Sequence, residues 1–166
     1  GTLDEQQQAL DRDNIFTELE GLCEGLHHAH RHGITHTDIK PENILFTESG
    51  EHGVGKLSDW GLANVLLDHS MSVYGLTPTY SAPEQLQPEA YGGTDDRTDI
   101  YQLGIVAYEL LVGEVPYSGG SHGGVVSAIL NSEPSDPTEI NPDLPSEIDD
   151  VLLTAIAESK ENRYET

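Results

Sequence analysis

The segment at positions 36–43 reads His36-Thr37-Asp38-Ile39-Lys40-Pro41-Glu42-Asn43. Within it, Lys40 lies two residues and Asn43 five residues after Asp38. In a loop between short strands, this spacing can point the three polar side chains into one cleft. Such a set favours phosphoryl transfer, in which an enzyme mostly positions its reactants and neutralises charge.

Two shorter motifs follow this segment in the chain. They are Asp59-Trp60-Gly61 and, further on, Ala82-Pro83-Glu84. Each triplet alone occurs often by chance, but three motifs in this order with these gaps rarely do. The alternative for the two aspartates is simple turn formation, which Asp favours.

The pattern of apolar residues predicts helices on both sides of these motifs. Apolar side chains recur every three to four residues over 13–32 and predict one long amphipathic helix that ends at Gly33. Residues 98–112 are apolar on nearly all sides and predict a central buried helix. Shorter helices are expected over 124–130 and 148–157, with a Pro-rich acidic connector over 133–145.

Short strands are predicted between the helices, at Ile34–His36, Ile44–Thr47 and Val54–Ser58. Residues 59–87 show little periodicity and are interpreted as a long ordered loop with a functional role. The expected fold class is therefore mainly α with a few short β-strands.

Charge restricts the partners of the chain. Its 166 residues carry 30 Asp and Glu against 7 Lys and Arg, a formal net charge of −23. Nucleic acid is not expected as a partner, because phosphates would be repelled. The simplest hypothesis is a salt-rich (halophilic) cytoplasm, where screening removes most of the self-repulsion. One cysteine permits no disulfide framework, and no apolar run approaches the ~20 residues that a bilayer requires.

Taken together, the motifs resemble those of eukaryotic-type (Hanks-type) protein kinases, whose signatures are H-R-D-x-x-x-x-N, D-F-G and A-P-E. The resemblance covers the C-terminal lobe, and Lys40 together with the segments Asn141–Pro145 and Glu161–Tyr164 is similar to the bacterial serine/threonine branch. It implies ATP and Mg²⁺ as cofactors and a protein as substrate. Asp38 would accept the proton of the substrate hydroxyl, Lys40 would contact the γ-phosphate, and Asn43 and Asp59 would hold Mg²⁺.

The resemblance implies roles for further residues. Thr77 would bridge Asp38 and Lys40, and Leu45 would form the floor under adenine. Asp99 would anchor the backbone of the catalytic loop, and Arg163 would pair with Glu84.

The resemblance also divides the chain into functional segments. They are the long helix over 13–32, catalytic and metal loops over 34–61, an activation segment over 59–84, the buried helix over 98–112 and a C-terminal helical part over 123–166. Glu42 and Glu109 match positions that often read a basic residue of the substrate.

Several departures from the family pattern affect these expectations. Thr37 stands where H-R-D has Arg, so activation through a phosphorylated loop is not expected to use this residue. Trp60 replaces the Phe of D-F-G but can still pack as an aromatic ring. No glycine loop or strand lysine precedes the long helix, so the N-terminal lobe and the last helix are expected to be absent. We therefore expect the fragment itself to be inactive and its exposed lobe face, around Leu45, to favour self-association.

Two other functions remain open at this stage. A pseudokinase would use the same lobe as a binding platform. A small-molecule phosphotransferase of the aminoglycoside or choline kinase type shares H-x-D-x-x-x-x-N but lacks A-P-E, which this sequence has.

Three local features have simpler explanations than function. The run Gly50–Lys56 matches G-x-x-x-x-G-K, but a strand is expected to follow it where a phosphate loop requires a helix. His28 and His32 could share a metal, but no third ligand is evident. Cys23 is expected to lie in the core.

Overall fold

The computed structural model describes residues 1–3, 12–46, 54–60 and 78–166, which form mainly α-helices and one two-stranded sheet. The helices are α1 (Arg12–Arg31), α2 (Pro83–Leu86), α3 (Pro88–Tyr91), α4 (Asp96–Val112), α5 (His122–Asn131), α6 (Pro137–Ile140) and α7 (Glu147–Ala155). The strands are β1 (Ile44–Phe46) and β2 (Gly55–Leu57). Single 3₁₀ turns cover Pro41–Asn43, Pro78–Tyr80 and Lys160–Asn162.

Helix α1 has one buried stripe along an otherwise polar surface. Ile15, Leu22, Leu26 and Ala29 are buried on this stripe, as the helical period requires. The helix ends before Gly33, whose φ of 71° is a conformation that glycine adopts without steric cost. The sequence predicts this helix over 13–32, and the structure has it over Arg12–Arg31.

Helix α4 lies at the centre of the molecule and packs against α1, α6 and α7. Its N-cap is Asp95, whose side chain accepts a hydrogen bond from the Arg97 amide at 2.9 Å. Gly113, with φ of 93°, ends it. Most of the residues of this helix are buried, as the apolar composition of 98–112 predicts.

The two strands pair antiparallel, with Ile44 opposite Leu57 and Phe46 opposite Gly55. The Gly55 amide donates a hydrogen bond to Glu18 Oε2 at 2.6 Å, which attaches β2 to α1. The sheet is thereby held beside the segment that contains the first motif.

Two clusters of buried apolar side chains meet at α4. One joins α4 to α5, α7 and the C-terminal part, and it includes Tyr101, Ile105, Tyr108, Ile129, Leu152 and Ile156. The other joins α4 to α1 and the sheet, and it includes Leu22, Leu26, Ile39, Ile44, Phe46 and Val106. Because α4 supplies residues to both clusters, the elements of both clusters are positioned by their packing on this one helix.

The strand predicted at Ile34–His36 is wrong, because these residues have no strand structure. The amides of His36 and Thr37 donate to a side chain, Asp99, and not to a neighbouring strand. The loop expected over 59–87 is wrong at 78–80 and at 83–86, which form helical turns that begin with proline. Its residues 61–77 lie outside the described part.

Two smaller expectations also differ from the structure. The connector expected over 133–145 contains the short helix α6. Cys23 is exposed and not in the core, because it lies one position away from Leu22 on the buried stripe of α1. Among the described residues, no helix is both long enough and apolar enough to cross a membrane.

Candidate active site

The loop that precedes Asp38 is held by one buried carboxylate on α4. Asp99 Oδ2 accepts hydrogen bonds from the His36 amide at 2.8 Å and from His30 Nε2 at 2.9 Å, and Asp99 Oδ1 accepts from the Thr37 amide at 2.6 Å. Asp99 is completely buried, so these three donors compensate its desolvation. The predicted anchoring of this loop by Asp99 is confirmed.

Asp38, Lys40 and Asn43 come together at the surface end of this loop. Lys40 Nζ lies 2.9 Å from Asp38 Oδ2 and 3.2 Å from Oδ1. Asn43 Nδ2 donates to the Asp38 carbonyl oxygen at 2.8 Å and to Asp38 Oδ2 at 2.9 Å. The side chain of Asp38 is 36% exposed, so its carboxylate remains accessible to a substrate.

The segment that carries Asp59 is attached to the same loop. The Ser58 amide donates to the Asn43 carbonyl oxygen at 2.8 Å, and His36 Nε2 donates to the Ser58 carbonyl oxygen at 2.7 Å. The rings of His36 and Trp60 are 4.8 Å apart. Asp59 itself is exposed and has a φ of 60°. The backbone therefore brings Asp59 next to the Asp38 loop from the far end of β2.

Leu45 and Thr77 are the other two predicted site residues. Leu45 lies in the middle of β1, opposite Lys56, with 42% of its surface exposed. Thr77 lies outside the described residues, so its predicted bridge between Asp38 and Lys40 stays a prediction.

The donor set suits a hard cation that is bound together with another ligand. The Asn43 amide nitrogen is used by Asp38, which leaves its side-chain oxygen as a possible ligand beside the exposed carboxylate of Asp59. Mg²⁺ prefers such oxygens and often takes its remaining ligands from water and substrate phosphates. In the described part of the chain, no group of three or more His, Cys, Asp and Glu side chains could hold a metal alone.

The third motif is held by the predicted ion pair, which the structure confirms. Arg163 Nη1 and Nη2 donate to the two carboxylate oxygens of Glu84 at 2.8 and 3.0 Å, and both side chains are fully buried. Thr98 donates a further hydrogen bond to Glu84 at 2.8 Å. The pair thus joins α2, α4 and the C-terminal segment.

Two tyrosines lie close to this pair. The Tyr101 ring lies 4.7 Å from the Arg163 guanidinium carbon. Burial is the main cause that raises the pKa of Tyr101 well above its ordinary value and the pKa of Tyr117 to about 12. Both hydroxyls therefore stay protonated at neutral pH and add no charge beside the ion pair.

Sequence reasoning missed two glutamines that contact the catalytic loop. Gln85 Nε2 donates to the Thr37 carbonyl oxygen at 2.8 Å, and Gln102 Oε1 accepts from the Ile39 amide at 2.9 Å. An uncharged amide in an apolar helix gives little signal. The one signal in the sequence was the presence of a polar residue, Gln102, in the otherwise apolar run of 98–112.

The structure gives no functional arrangement, among the described residues, to the histidine pair, the lysine of the G-x-x-x-x-G-K run or Cys23. His32 Nδ1 lies 2.8 Å from the His28 carbonyl oxygen, and the two rings are 4.5 Å apart. Lys56 lies in strand β2, so the helix that a phosphate loop needs does not begin there. Although Cys23 as a residue is exposed, local desolvation of its sulfur and the charge of Glu20 raise the pKa of its thiol, so that less of it is thiolate at neutral pH.

Comparison with known proteins agrees with the motifs. The model of the family described as protein kinase domain matches residues 2–165. The serine/threonine-protein kinase PknB of Mycolicibacterium smegmatis is 36% identical over 150 residues, which are 89% of this chain and 24% of that protein. A probable serine/threonine-protein kinase of Clostridium perfringens is 38% identical over 149 residues, which are 87% of this chain and 21% of that protein.

A third relative is a probable PknB of Corynebacterium glutamicum. It is 33% identical over 172 residues, which are 96% of this chain and 26% of that protein. The chain thus spans about a quarter of the length of the curated relatives that it matches. The family match over nearly the whole chain, together with the three motifs in order, shows that the chain belongs to the protein kinase domain family, in its eukaryotic-type (Hanks-type) branch.

Proposed function

We propose that the chain is the C-terminal lobe of a serine/threonine protein kinase whose complete form transfers the γ-phosphate of ATP to a protein hydroxyl. The observation that carries this proposal is the contact of Asp38 with both Lys40 and Asn43, at 2.9 Å each. Phosphoryl transfer straight from ATP to a hydroxyl needs three groups: a carboxylate that accepts a proton, a cation that contacts the phosphate and an amide oxygen that binds Mg²⁺. The names of the relatives support the preference for Ser and Thr.

In this proposal each residue has a separate task. Asp38 orients the substrate hydroxyl and accepts its proton, while Lys40 moves from its ion pair with Asp38 to the γ-phosphate when ATP is bound. Asn43 and Asp59 would hold Mg²⁺, which would supply positive charge to neutralise the phosphates. Leu45 contributes an apolar surface under adenine, and Thr77 completes the bridge between Asp38 and Lys40.

The proposal also places the chain in its setting. The missing N-terminal lobe of the complete kinase supplies the rest of the ATP site, so the fragment alone is inactive. A cytoplasmic, salt-rich location fits the net charge of −23. The preferred substrate segment is basic, since Glu42 is exposed beside the catalytic loop and the chain carries a net charge of −23.

The test compares two Asp→Asn variants of the complete kinase that contains this chain. Phosphate transfer from Mg·ATP to Ser/Thr peptides with a basic residue upstream should fall about 10²–10⁴-fold in Asp38→Asn, the usual contribution of a general base. Asp150→Asn, the matched change on the exposed surface of α7, should leave the rate unchanged.

The same assay distinguishes the other two functions. A wild-type protein that binds ATP and transfers no phosphate to any peptide would be a pseudokinase. Transfer to aminoglycosides or choline in place of peptides would indicate a small-molecule phosphotransferase.

We further propose that the isolated fragment self-associates through the face around Leu45. Leu45 and Val54, which lie on and beside the sheet, are 42% and 48% exposed, and such apolar surface favours association. Light scattering in high salt should show a mass that rises with concentration. A strict monomer at all concentrations would contradict this.

A further inference from the structure

We propose that Gln85 and Gln102 are positioning residues that clamp the two peptide groups on either side of Asp38. This inference rests on the proposed function of Asp38 as proton acceptor. The Thr37 carbonyl belongs to the peptide group before Asp38, and the Ile39 amide belongs to the peptide group after it. Both groups bind glutamine side chains and not other backbone groups.

Gln102 holds both peptide groups at once from helix α4. Its Oε1 accepts from the Ile39 amide at 2.9 Å, while its Nε2 donates to the Thr37 carbonyl oxygen at 3.2 Å and to Gln85 Oε1 at 2.9 Å. The side-chain amide therefore uses its oxygen and both of its N–H groups. Its orientation is determined by these partners, because the Ile39 amide can only donate.

Gln85 completes the clamp from the motif segment. Its Nε2 donates to the Thr37 carbonyl oxygen at 2.8 Å, and its Oε1 accepts from the Ala82 amide at 3.0 Å as well as from Gln102. The Thr37 carbonyl thus receives two hydrogen bonds. Through Gln85, the segment that follows Ala82-Pro83-Glu84 is tied directly to the backbone next to Asp38.

The clamp acts where the backbone is strained. Thr37 has a φ of 62° and is 2% exposed, and a β-branched residue avoids this left-handed conformation. Asp99 holds the amide side of Thr37, but it touches neither peptide group of Asp38. The other ends of the two peptide groups are held by His36 Nδ1, 3.3 Å from the Asp38 amide, and by Asn43 Nδ2, 2.8 Å from the Asp38 carbonyl oxygen. Gln85 and Gln102 hold the remaining ends, the Thr37 carbonyl and the Ile39 amide, so that each plane is held at both ends and the direction of the Asp38 side chain is fixed.

Both glutamines are uncharged and contact no proposed ligand of ATP or Mg²⁺. Their removal should therefore change the placement of Asp38 and leave ATP binding intact. A displacement of about 1 Å at a catalytic group can cost about 10²-fold in rate. A loss that appears in kcat and not in KM for ATP is the signature of such a displacement.

The experiment uses the complete kinase with Gln102→Met and Gln85→Met, which keep the side-chain length and remove the hydrogen bonds. We expect kcat to fall about 10–100-fold in Gln102→Met and less in Gln85→Met, with KM for ATP within about twofold of the wild type. Gln87→Met, the same change at an exposed glutamine two residues after Gln85, should leave both constants unchanged. Thermal unfolding of each variant gives the folded fraction to which kcat is referred.

Each other outcome would overturn the clamp in a recognisable way. If the variants unfold more easily but keep the wild-type kcat per folded molecule, the glutamines serve the fold alone. If KM for ATP rises while kcat is unchanged, they serve nucleotide binding. Should Gln102→Met fail to fold, the half-buried Gln85→Met gives the same comparison. A folded wild type without phosphate transfer would instead overturn the function of Asp38 and the clamp with it.

Discussion

Glu84 and Arg163 hold the molecule together through a pair of charges that water does not reach. All five N–H donors of Arg163 are used, two by Glu84 and three by the carbonyl oxygens of Arg97, Ala157 and Glu158. A buried charge with this many partners is stable only while its partners remain. The fold therefore requires both members of the pair, because losing either one leaves the other charge buried without its partner.

Arg163→Met should lower the free energy of unfolding by about 3–5 kcal/mol, because it leaves the Glu84 carboxylate buried without a cation. The double variant Glu84→Gln/Arg163→Met should recover part of this loss. Urea unfolding at neutral pH measures both.

The matched control is Arg97→Met. Arg97 lies 3.9 Å from Glu165, whose side chain is 90% exposed, so its loss should cost less than about 1 kcal/mol. Equal losses for Arg97 and Arg163 would contradict the role assigned to burial.

At the scale of single residues, charge made the site predictable and neutral amides hid part of it. The pairing of Arg163 with Glu84 and the anchoring by Asp99 were expected from the resemblance to the protein kinases, in whose motifs these positions carry charged groups. Gln85 and Gln102 have no such signature, since their function depends on which backbone groups happen to face them. The left-handed backbone at Thr37 was equally hidden, because the amide of this residue binds a carboxylate on α4 that is distant in the sequence.

Helices α4 and α7 approach each other closely at one glycine. A Cβ atom added to Gly104 would lie 2.8 Å from Ile156 Cγ2 and 2.9 Å from Ala155 Cβ. The only relief is a shift of the helices or of buried side chains. The small residue at position 104 thus sets the distance between the two elements.

Gly104→Ala should lower the free energy of unfolding by about 1–3 kcal/mol through overpacking. Gly25→Ala is the control, because nothing lies within 4 Å of its Cβ position on α1. There the change should stabilise by about 0.5–1 kcal/mol, the usual gain of alanine over glycine in a helix. Thermal or urea unfolding measures both changes. A Gly104→Ala variant that is more stable than the wild type would contradict the close approach of α4 and α7.

Length decided which elements were predictable from the sequence. The periodic runs in α1 and α7 and the apolar run in α4 extend over several turns and give a clear pattern. Helices α2, α3 and α6 have four residues each, fewer than a pattern needs, and were missed. The short segment Ile34–His36 suggested a strand, but tertiary hydrogen bonds from the His36 and Thr37 amides to Asp99 on α4 determined the conformation there.

For the whole molecule, the excess of acidic residues predicts stability that depends on salt. With a net charge of −23, self-repulsion acts over about 10 Å at 0.1 M salt and about 3 Å at 1 M. The melting temperature should rise between these concentrations by at least about 4 °C, which for a chain of this size corresponds to about 1 kcal/mol or more.

Potassium chloride and sodium chloride should act alike in this measurement, and sucrose of equal osmolality should have a smaller effect. A melting temperature that is flat or falling with salt would contradict the halophilic hypothesis. The charge count alone led to this expectation, since it needs no knowledge of which residues touch.

The attachment of the catalytic loop to α4 has a consequence for hydrogen exchange. The amides of His36, Thr37 and Ile39 belong to no helix or strand, yet each donates to a buried side chain of α4. Their protons should exchange with deuterium as slowly as those in the middle of α4, because both require α4 to be released. Loop amides that exchange within seconds in a folded sample would show that the loop opens on its own.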